Sequence, residues 1–268
     1  MASELTFHDL TSKHWPASWS PFTIRTTLCL NYLGLSYKHN EISYPDIASF
    51  LPTLGVQASE KSTDFTLPAV TFPDKTIMES TAIAEKLAST SAEFGKKLFP
   101  QGEKSIAAAK KFDTKEVWGR IFTAMAKEHI LPFVPAFLDD RGREYFYRTR
   151  EEIFGGGLDE MREGALEAEK EDGLQAKIET ALVPLVEFYG ELDMQGSGDG
   201  GVFAFGGGRP QYLDFQVVAL VQWWVYARGE KDVKAALESV GGGRLAQVME
   251  GCKDLLKPKE VAAFVHLL

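Results

Sequence analysis

The sequence predicts an α/β domain over residues 1–92 and an all-helical domain over residues 103–268, with a linker at 93–102 between them. Two observations support this division. Strand and helix signals alternate in the first part of the chain, whereas the second part shows apolar residues at helical spacing and no convincing strand pairs. The chain has 268 residues, of which 44% are hydrophobic, so both domains can bury a core.

The elements of the first domain follow in the order βαβ and then ββα. Pro21 is predicted to open the first helix, because the first helical turn tolerates the missing N–H of proline, and Gly34 is predicted to end it. Around that helix we predict strands at 5–10 and 37–42, a short helix after Tyr44-Pro45-Asp46, a hairpin of 67–72 and 76–78, and a helix that Ser80 caps and that reaches about Leu87. This order is typical of a thioredoxin-like domain.

Helical periodicity dominates the second domain. Two amphipathic helices are predicted from apolar residues at helical spacing: Trp118, Phe122, Met125 and His129 in one, and Ile178, Leu182, Leu185 and Tyr189 in the other. Residues 213–226 are apolar almost all round, which predicts a helix at the centre of a bundle. A solvated helix pair with a break is predicted for the charged stretch 139–172, and loops are predicted at the glycine runs 196–201, 206–208 and 241–243.

Composition excludes some classes of partner. The formal net charge is −9 and no long basic run occurs, which argues against binding of nucleic acid or of an anionic membrane surface. The first residues show no signal-peptide pattern and no apolar stretch reaches the roughly 18 residues of a membrane helix, so a cytoplasmic location is expected. Cys29 and Cys252 are far apart in the sequence, and we expect two buried, inert thiols rather than a disulfide or a zinc site.

Three short motifs carry the candidate chemistry: Ser20-Pro21 at the start of the first helix, Leu67-Pro68 before a strand, and Glu79-Ser80 before the next helix. A hydroxyl at a helix N-terminus can stabilise a thiolate, because it donates a hydrogen bond and the helix dipole adds partial positive charge. Ser20 fits this role; it also fits the simpler role of helix N-cap, and both can hold at once. Ser18 is the competing hydroxyl, and we interpret it as a loop serine.

Together with the all-helical second domain, these motifs resemble the cytosolic glutathione transferases over essentially the whole chain. Three further segments resemble the fungal etherase-related (FuA) class, which is itself similar to bacterial β-etherases: Trp19-Ser20-Pro21 with Arg25-Thr26, Tyr44-Pro45-Asp46-Ile47, and residues 147–152. The resemblance implies the glutathione transferase fold, glutathione as the cosubstrate, no metal, and a homodimer.

The resemblance also implies roles for individual residues. Ser20 would be catalytic, and the backbone of Leu67, turned outward by a cis bond to Pro68, would pair with the cysteinyl part of glutathione. Glu79 and Ser80 would hold the γ-glutamyl part at the helix N-terminus. Trp19 would either line the glutathione site or merely pack.

The acceptor pocket is expected between the domains, with Phe22, Phe122 and Met125 as candidate substrate contacts. Phe122 and Met125 belong to the apolar stripe of a predicted helix, and such a stripe more often lies in the core than in a pocket. We expect the glutathione thiolate to attack a hydrophobic, aromatic electrophile, by conjugation or by ether cleavage. The alternatives are a glutathione-dependent isomerase or addition catalyst in a biosynthetic pathway, and a non-catalytic ligand-binding protein of the same fold.

Two features of the chain, Phe22 and Gln211, depart from family patterns, and the residue at position 20 narrows the chemistry. Position 20 holds no cysteine, which disfavours thiol exchange by an enzymic thiolate. Phe22 stands where the etherase-like classes often have asparagine, and this removes a polar group from the rim of the site. Gln211 stands where the late buried helix usually has a hydroxyl cap, whereas Asp214 keeps the reciprocal half of that capping box.

Overall fold

The computed structural model describes residues 5–60, 63–196 and 200–258. The first domain contains a four-stranded sheet with the spatial order β2-β1-β3-β4, in which β1 is Leu5–Leu10, β2 Tyr37–Ile42, β3 Ala69–Thr71 and β4 Thr76–Met78. β1 and β2 are parallel, and the other neighbouring pairs are antiparallel. A parallel pair needs a crossover connection, which the first helix supplies. The predicted βαβ and ββα order is therefore confirmed.

The helices of this domain are α1, Pro21–Tyr32, α2, Ile47–Thr53, and α3, Ser80–Ser89. α1 begins as predicted, with Ser20 as the N-cap and Pro21 in the first turn, and Gly34 follows its end at φ +73°. The start of α3 differs from the prediction. Its N-cap is Glu79, at φ +76°, and Ser80 is the first helical residue rather than the cap.

The second domain is helical. Its α-helices are α5, Glu103–Phe112, α6, Asp140–Phe154, α7, Leu158–Gln195, α8, Tyr212–Arg228, α9, Glu230–Ser239, and α10, Arg244–Cys252. Before them, α4, Ala92–Leu98, begins one residue ahead of the predicted linker and occupies its first part. α6 and the first part of α7 form the predicted charged pair, and Gly155, at φ +70°, ends α6. α8 is buried over most of its length, which confirms the central helix.

The chain between α5 and α6 is wound differently from the amphipathic helix predicted there. It forms π-helix over Lys115–Gly119 and Phe122–Ile130, followed by 3₁₀-helix over Leu131–Phe137. Apolar spacing predicts which face is buried, but it does not separate α-helical from π-helical hydrogen bonding. The sequence therefore identified the buried face and not the winding.

Two further predictions concern the ends of elements. Asp214 accepts a hydrogen bond from the Gln211 backbone N–H at 2.9 Å, so the reciprocal half of the capping box is present at the start of α8. The predicted loop 196–201 lies partly outside the described residues. Among the helices that the described ranges contain, none combines the length and the apolar character that crossing a membrane would take.

Candidate functional site

The three predicted motifs leave the sheet at one edge. β3 is antiparallel to both neighbours, and its first residue, Ala69, pairs with His8 of β1 and with Met78 of β4. The end of β1, the start of β3 and the end of β4 therefore lie side by side. The segments that join the sheet at this edge are residues 11–20, 67–68 and 79–80. The sheet register thus brings together the parts of the chain that carry the candidate residues.

Ser20 is held at the N-terminus of α1. Its Oγ accepts a hydrogen bond from the Phe22 backbone N–H at 3.3 Å, and the residue is 6% exposed. This contact confirms the N-cap role. It uses the oxygen of Ser20 as an acceptor, so the hydroxyl hydrogen stays available to donate. The cap role and the predicted catalytic role are therefore compatible in this geometry.

Ser18, the competing hydroxyl, is already committed to partners inside the domain. Its Oγ donates to Oδ2 of Asp9 and lies 2.6 Å from Oγ1 of Thr27. The same Asp9 oxygen is 3.1 Å from Nε2 of His39, and Asp9 is fully buried. These bonds fix the loop that leads into α1. Ser18 is a structural serine, and Ser20 is the better-placed donor of the two.

The Leu67-Pro68 peptide bond is cis, as the resemblance implied. Leu67 is 6% exposed and precedes the first paired residue of β3 by two positions. Its backbone amide and carbonyl therefore lie outside the registered pairs of the sheet. This arrangement fits the predicted pairing with an extended backbone such as that of the cysteinyl part of glutathione.

Glu79 has an unusual backbone conformation. It lies at φ +76° and ψ 117°, a region that side chains other than glycine rarely adopt. Such strain costs about 1 to 3 kcal/mol and is concentrated at functional sites, where the surrounding structure holds it in place. Thr66 Oγ1 donates to the Glu79 carboxylate at 3.4 Å, and Ser80 follows at the first position of α3. The strained residue therefore stands directly before the helix N-terminus that was predicted to bind a carboxylate.

A partly buried ion pair next to the site was not predicted from the sequence. Arg25, in α1, is fully buried and donates from Nη1 to both carboxylate oxygens of Asp113, at 2.9 and 3.1 Å. Asp113 also accepts from Thr81 Oγ1 at 3.3 Å and from Gln216 Nε2 at 3.1 Å. One carboxylate therefore connects α1 and α3, which carry Ser20 and Ser80, to α8 of the helical domain.

Aromatic rings surround the rest of the Arg25 guanidinium. Its Cζ lies 4.8, 5.4 and 5.7 Å from the ring centroids of Phe22, Phe112 and Trp118. Nε and Nη2 of Arg25 have no hydrogen-bond partner among the described residues. The contacts with aromatic rings stabilise the guanidinium only in part. The buried charge of Arg25 therefore depends on the carboxylate of Asp113.

Phe22 is the exposed aromatic residue that follows Ser20 in the sequence. Phe22 is 38% exposed and its ring centroid is 5.4 Å from that of Trp118, which is half-buried and stacks on Trp223 at 6.5 Å. Phe22 thus joins the start of α1 to an aromatic cluster of the helical domain. Phe122 is half-buried and packs against the core, and its predicted contact with substrate stays a prediction.

Two predicted contact residues are corrected by their burial. Met125 lies on the π-helical segment, is fully buried and has no surface to offer a substrate. Trp19 is 2% exposed and packs edge-on against Phe137, with ring centroids 5.2 Å apart. Of the two roles considered for Trp19, the structure supports packing and not a side-chain contact with glutathione.

The cysteines and His129 are structural, as predicted. Cys29 and Cys252 are unpaired and buried, and burial raises the pKa of both thiols, to about 12 for Cys252. His129 Nδ1 lies 2.8 Å from the carboxylate of Glu169, which also pairs with Arg228 at 2.6 Å. Neither cysteine offers a thiolate at neutral pH, and His129 is engaged in a buried ion-pair cluster.

Comparison with known proteins extends over the whole site. A family model described as "Glutathione S-transferase, N-terminal domain" matches residues 19–90, and one described as "Glutathione S-transferase, C-terminal domain" matches residues 108–255. The curated "Glutathione S-transferase-like protein ustS" of Aspergillus flavus is 33% identical over 214 residues, which is 77% of this chain and 74% of that protein.

Solved structures are similar along nearly the full chain. The glutathione transferase GSTFuA3 of Phanerochaete chrysosporium superposes with a TM-score of 0.76 at 26% identity, covering 97% of this chain and 100% of that one. A glutathione S-transferase of Ceriporiopsis subvermispora, crystallised in complex with glutathione, superposes with a TM-score of 0.75 at 25% identity, covering 96% of this chain and 100% of that one.

Proposed function

Because the chain belongs to the glutathione S-transferase family, we propose that it binds glutathione at the sheet edge described above and activates its thiol beside Ser20. The backbone of Leu67, presented by Pro68, pairs with the cysteinyl part. Glu79 and the N-terminus of α3 hold the γ-glutamyl part, since backbone N–H groups and the helix dipole favour a carboxylate there. The homologue crystallised with glutathione supports this ligand.

Ser20 stabilises the ionised form of the thiol. An ordinary thiol has a pKa near 8.5, so at neutral pH only a small fraction is ionised without help. The Ser20 hydroxyl donates to the sulfur, and the N-terminal end of the α1 dipole adds positive potential. The observation that supports this role is the difference between the two serines: the hydroxyl of Ser18 is bound to Asp9, whereas that of Ser20 is used only as an acceptor.

The acceptor is a hydrophobic, aromatic electrophile. The thiolate sulfur forms a bond to the electrophilic carbon, and the leaving group departs with the bonding electron pair, in conjugation and in ether cleavage alike. Phe22, which is more than one-third exposed and contacts Trp118, provides an aromatic surface for such a molecule. We place the reaction in the cytoplasm and the active protein in a homodimer, as the family resemblance implies.

Glutathione affinity and turnover of a generic aryl electrophile test this proposal. We expect wild type to be retained on glutathione-agarose, and Ser20→Ala to lower kcat/KM roughly 10- to 100-fold, the value of one hydrogen bond to a charged group. Ser20→Thr keeps a hydroxyl and should restore most of the activity. Absence of glutathione binding in wild type would refute the ligand, whereas equal turnover by wild type and Ser20→Ala would reduce Ser20 to a helix cap.

A further inference from the structure

One histidine in the described ranges, His14, has no partner for its ring nitrogens, and its Nε2 is buried. The other three described histidines are bonded within the protein: His8 to Thr71 at 2.9 Å, His39 to Asp9 at 3.1 Å, and His129 to Glu169 at 2.8 Å. Buried polar atoms almost always have a hydrogen-bond partner in a folded protein. The unused nitrogen of His14 is therefore a candidate contact for a bound molecule.

His14 lies in the segment 11–20, which joins β1 to α1 and ends at Ser20. Its backbone N–H donates to Oγ of Ser12 at 3.1 Å, and its carbonyl accepts from the Ala17 N–H at 2.8 Å. These two bonds fold the segment into a tight turn around His14. The position of the ring is thus fixed relative to the start of α1.

The ring of His14 is held where this segment meets the helical domain. Its centroid lies 5.0 Å from that of Phe137 and 4.4 Å from that of Tyr226, with the planes of His14 and Tyr226 30° apart. Phe137 also packs against Trp19, at 5.2 Å, and Trp19 directly precedes Ser20. His14 and the residue before Ser20 therefore share one aromatic neighbour at the boundary between the domains.

The contacts of His14 and Phe22 lead to the same face of α8. Trp223 and Tyr226 are three residues apart on that helix, so their side chains are neighbours on its surface. Trp223 stacks on Trp118, which contacts Phe22, whereas Tyr226 stacks on His14. The aromatic surface proposed for the acceptor thus continues along α8 to the ring of His14.

The ring of His14 is uncharged at neutral pH. Burial lowers its pKa from the ordinary value of 6.5. A neutral imidazole carries one N–H, which donates a hydrogen bond, and its other nitrogen accepts. His14 can therefore donate to an oxygen atom without bringing a charge into the cleft.

The proposed reactions create a need for such a donor. In ether cleavage the sulfur–carbon bond forms, the carbon–oxygen bond breaks, and the electron pair leaves on the aryl oxygen. In addition to an unsaturated ketone the sulfur–carbon bond forms and the electron pair moves to the carbonyl oxygen. The Ser20 hydroxyl has one hydrogen, which it donates to the sulfur, so another group must stabilise the oxygen.

We propose that His14 is a second catalytic residue, whose Nε2–H donates to the acceptor oxygen that becomes negatively charged. This inference rests on the proposed function and narrows its acceptors to aryl ethers and unsaturated ketones. His14 keeps its proton throughout. The aryloxide, or the carbon next to the carbonyl in the enolate, takes its proton from water after the sulfur–carbon bond has formed.

Turnover of three electrophiles by wild type and His14→Phe tests the role. The electrophiles are phenoxyacetophenone, which releases an aryloxide, benzylideneacetone, which forms an enolate, and benzyl chloride, which contains no oxygen. Phenylalanine keeps a ring between Phe137 and Tyr226 but removes the donor. We expect kcat to fall roughly 10- to 100-fold with one or both oxygen-containing acceptors and to stay near wild type with benzyl chloride.

The acceptor that responds identifies the oxygen that His14 contacts. A loss with phenoxyacetophenone alone assigns the contact to the leaving oxygen, and a loss with benzylideneacetone alone assigns it to the carbonyl oxygen. His14→Gln retains an N–H donor near the position of Nε2 and should restore part of the lost rate.

His129→Phe is the matched control, because the ring of His129 is bonded to Glu169 inside the helical domain. It should leave the ratio of the rate with an oxygen-containing acceptor to the rate with benzyl chloride unchanged, even if thermal unfolding shows a loss of stability. The inference is overturned if His14→Phe lowers all three rates equally or none of them, or if His129→Phe changes the ratio as much.

Turnover of benzyl chloride by wild type without turnover of either oxygen-containing acceptor would also overturn this inference, while leaving the proposed function intact. Absence of turnover with all three electrophiles would refute both.

Discussion

The two ends of α1 differ in their electrostatics. At the Ser20 end, the positive end of the helix dipole and one hydroxyl favour negative charge, and Ser20 is buried. At the Tyr32 end the helix dipole is of the opposite sign, and the nearby cations Lys96 and Arg209 are exposed side chains. Exposed side-chain charges are screened by salt, whereas buried backbone dipoles are screened much less. The comparison teaches that only the Ser20 end of α1 favours an anion through the backbone itself, with little dependence on salt.

The largest expected effect is at the ion pair that anchors the Ser20 end of α1. Asp113→Asn leaves the fully buried Arg25 without a carboxylate, and breaking a buried pair costs about 3 to 5 kcal/mol. Asp113 is one-third exposed, so we expect the lower end of that range. Chemical denaturation of wild type and variant measures the free energy of unfolding. Thr81→Val is the control: it removes hydroxyl contacts to Asp113 at 3.3 Å and to Tyr212 Oη at 3.0 Å but leaves the ion pair intact, and it should cost less.

A small loss in Asp113→Asn would contradict the anchoring role. It would mean that the aromatic rings around Arg25 stabilise the cation without its carboxylate.

The second effect concerns the loop near the Tyr32 end and depends on pH. Burial raises the pKa of Asp214 from 3.8 to about 6 in the folded protein. Between pH 4 and pH 6 the folded state therefore keeps a proton that the unfolded state has lost, and this contribution to stability falls as pH rises. We therefore expect the free energy of unfolding of wild type, minus that of Asp214→Asn, to fall by up to about 3 kcal/mol between pH 4 and pH 6.

Denaturant unfolding of both proteins across this pH range measures the difference, in which contributions from other titrating groups cancel. A constant difference between pH 4 and pH 6 would show that Asp214 titrates near its ordinary pKa despite its burial.

A third, smaller effect separates the two serines. Ser18→Ala removes the donor to the buried Asp9 carboxylate and should destabilise the protein by about 1 to 3 kcal/mol. Glutathione turnover at a temperature where the variant is fully folded should stay close to wild type. Thermal unfolding and kcat/KM together measure the two consequences. Activity loss without destabilisation would reverse the roles assigned to Ser18 and Ser20.

The smallest effect is at the aromatic surface beside Ser20. Phe22→Ala removes an exposed ring from Trp118 and from the Arg25 guanidinium, which should cost about 1 kcal/mol of stability. We expect KM for an aryl electrophile to rise several-fold while kcat changes little. Steady-state kinetics with Phe22→Leu, which keeps apolar bulk, shows whether the ring itself matters. An unchanged KM would place the acceptor elsewhere.

Local sequence signals predicted the parts of the structure that depend on local physics. Ser20 before Pro21 predicted a helix start, and residues 213–226 predicted a buried helix; both are present. The Leu67-Pro68 bond was assigned as cis only through the family resemblance, since X-Pro dipeptides are mostly trans. Family likeness thus supplied what local propensity could not.

Contacts between distant parts of the chain could not be predicted in this way. Arg25 and Asp113 are 88 residues apart, and nothing in either local pattern indicates the partner. The signal that could have found the pair was the one charged residue in a helix that is otherwise uncharged, because such a charge needs a counter-ion when it is buried. Glu79 resembled an ordinary residue before a helix, and its positive φ follows from tertiary constraints. Met125 was misplaced because periodicity does not separate core from pocket.

The central claim, that Ser20 and the start of α1 stabilise the glutathione thiolate, is tested most directly by titrating the bound thiol. Ultraviolet absorbance of the thiolate is followed against pH for glutathione bound to wild type, Ser20→Thr and Ser20→Ala. We predict a thiol pKa at least one unit below the ordinary value of about 8.5 in wild type and Ser20→Thr, and a return toward that value in Ser20→Ala. The same depressed pKa in all three proteins would contradict the claim.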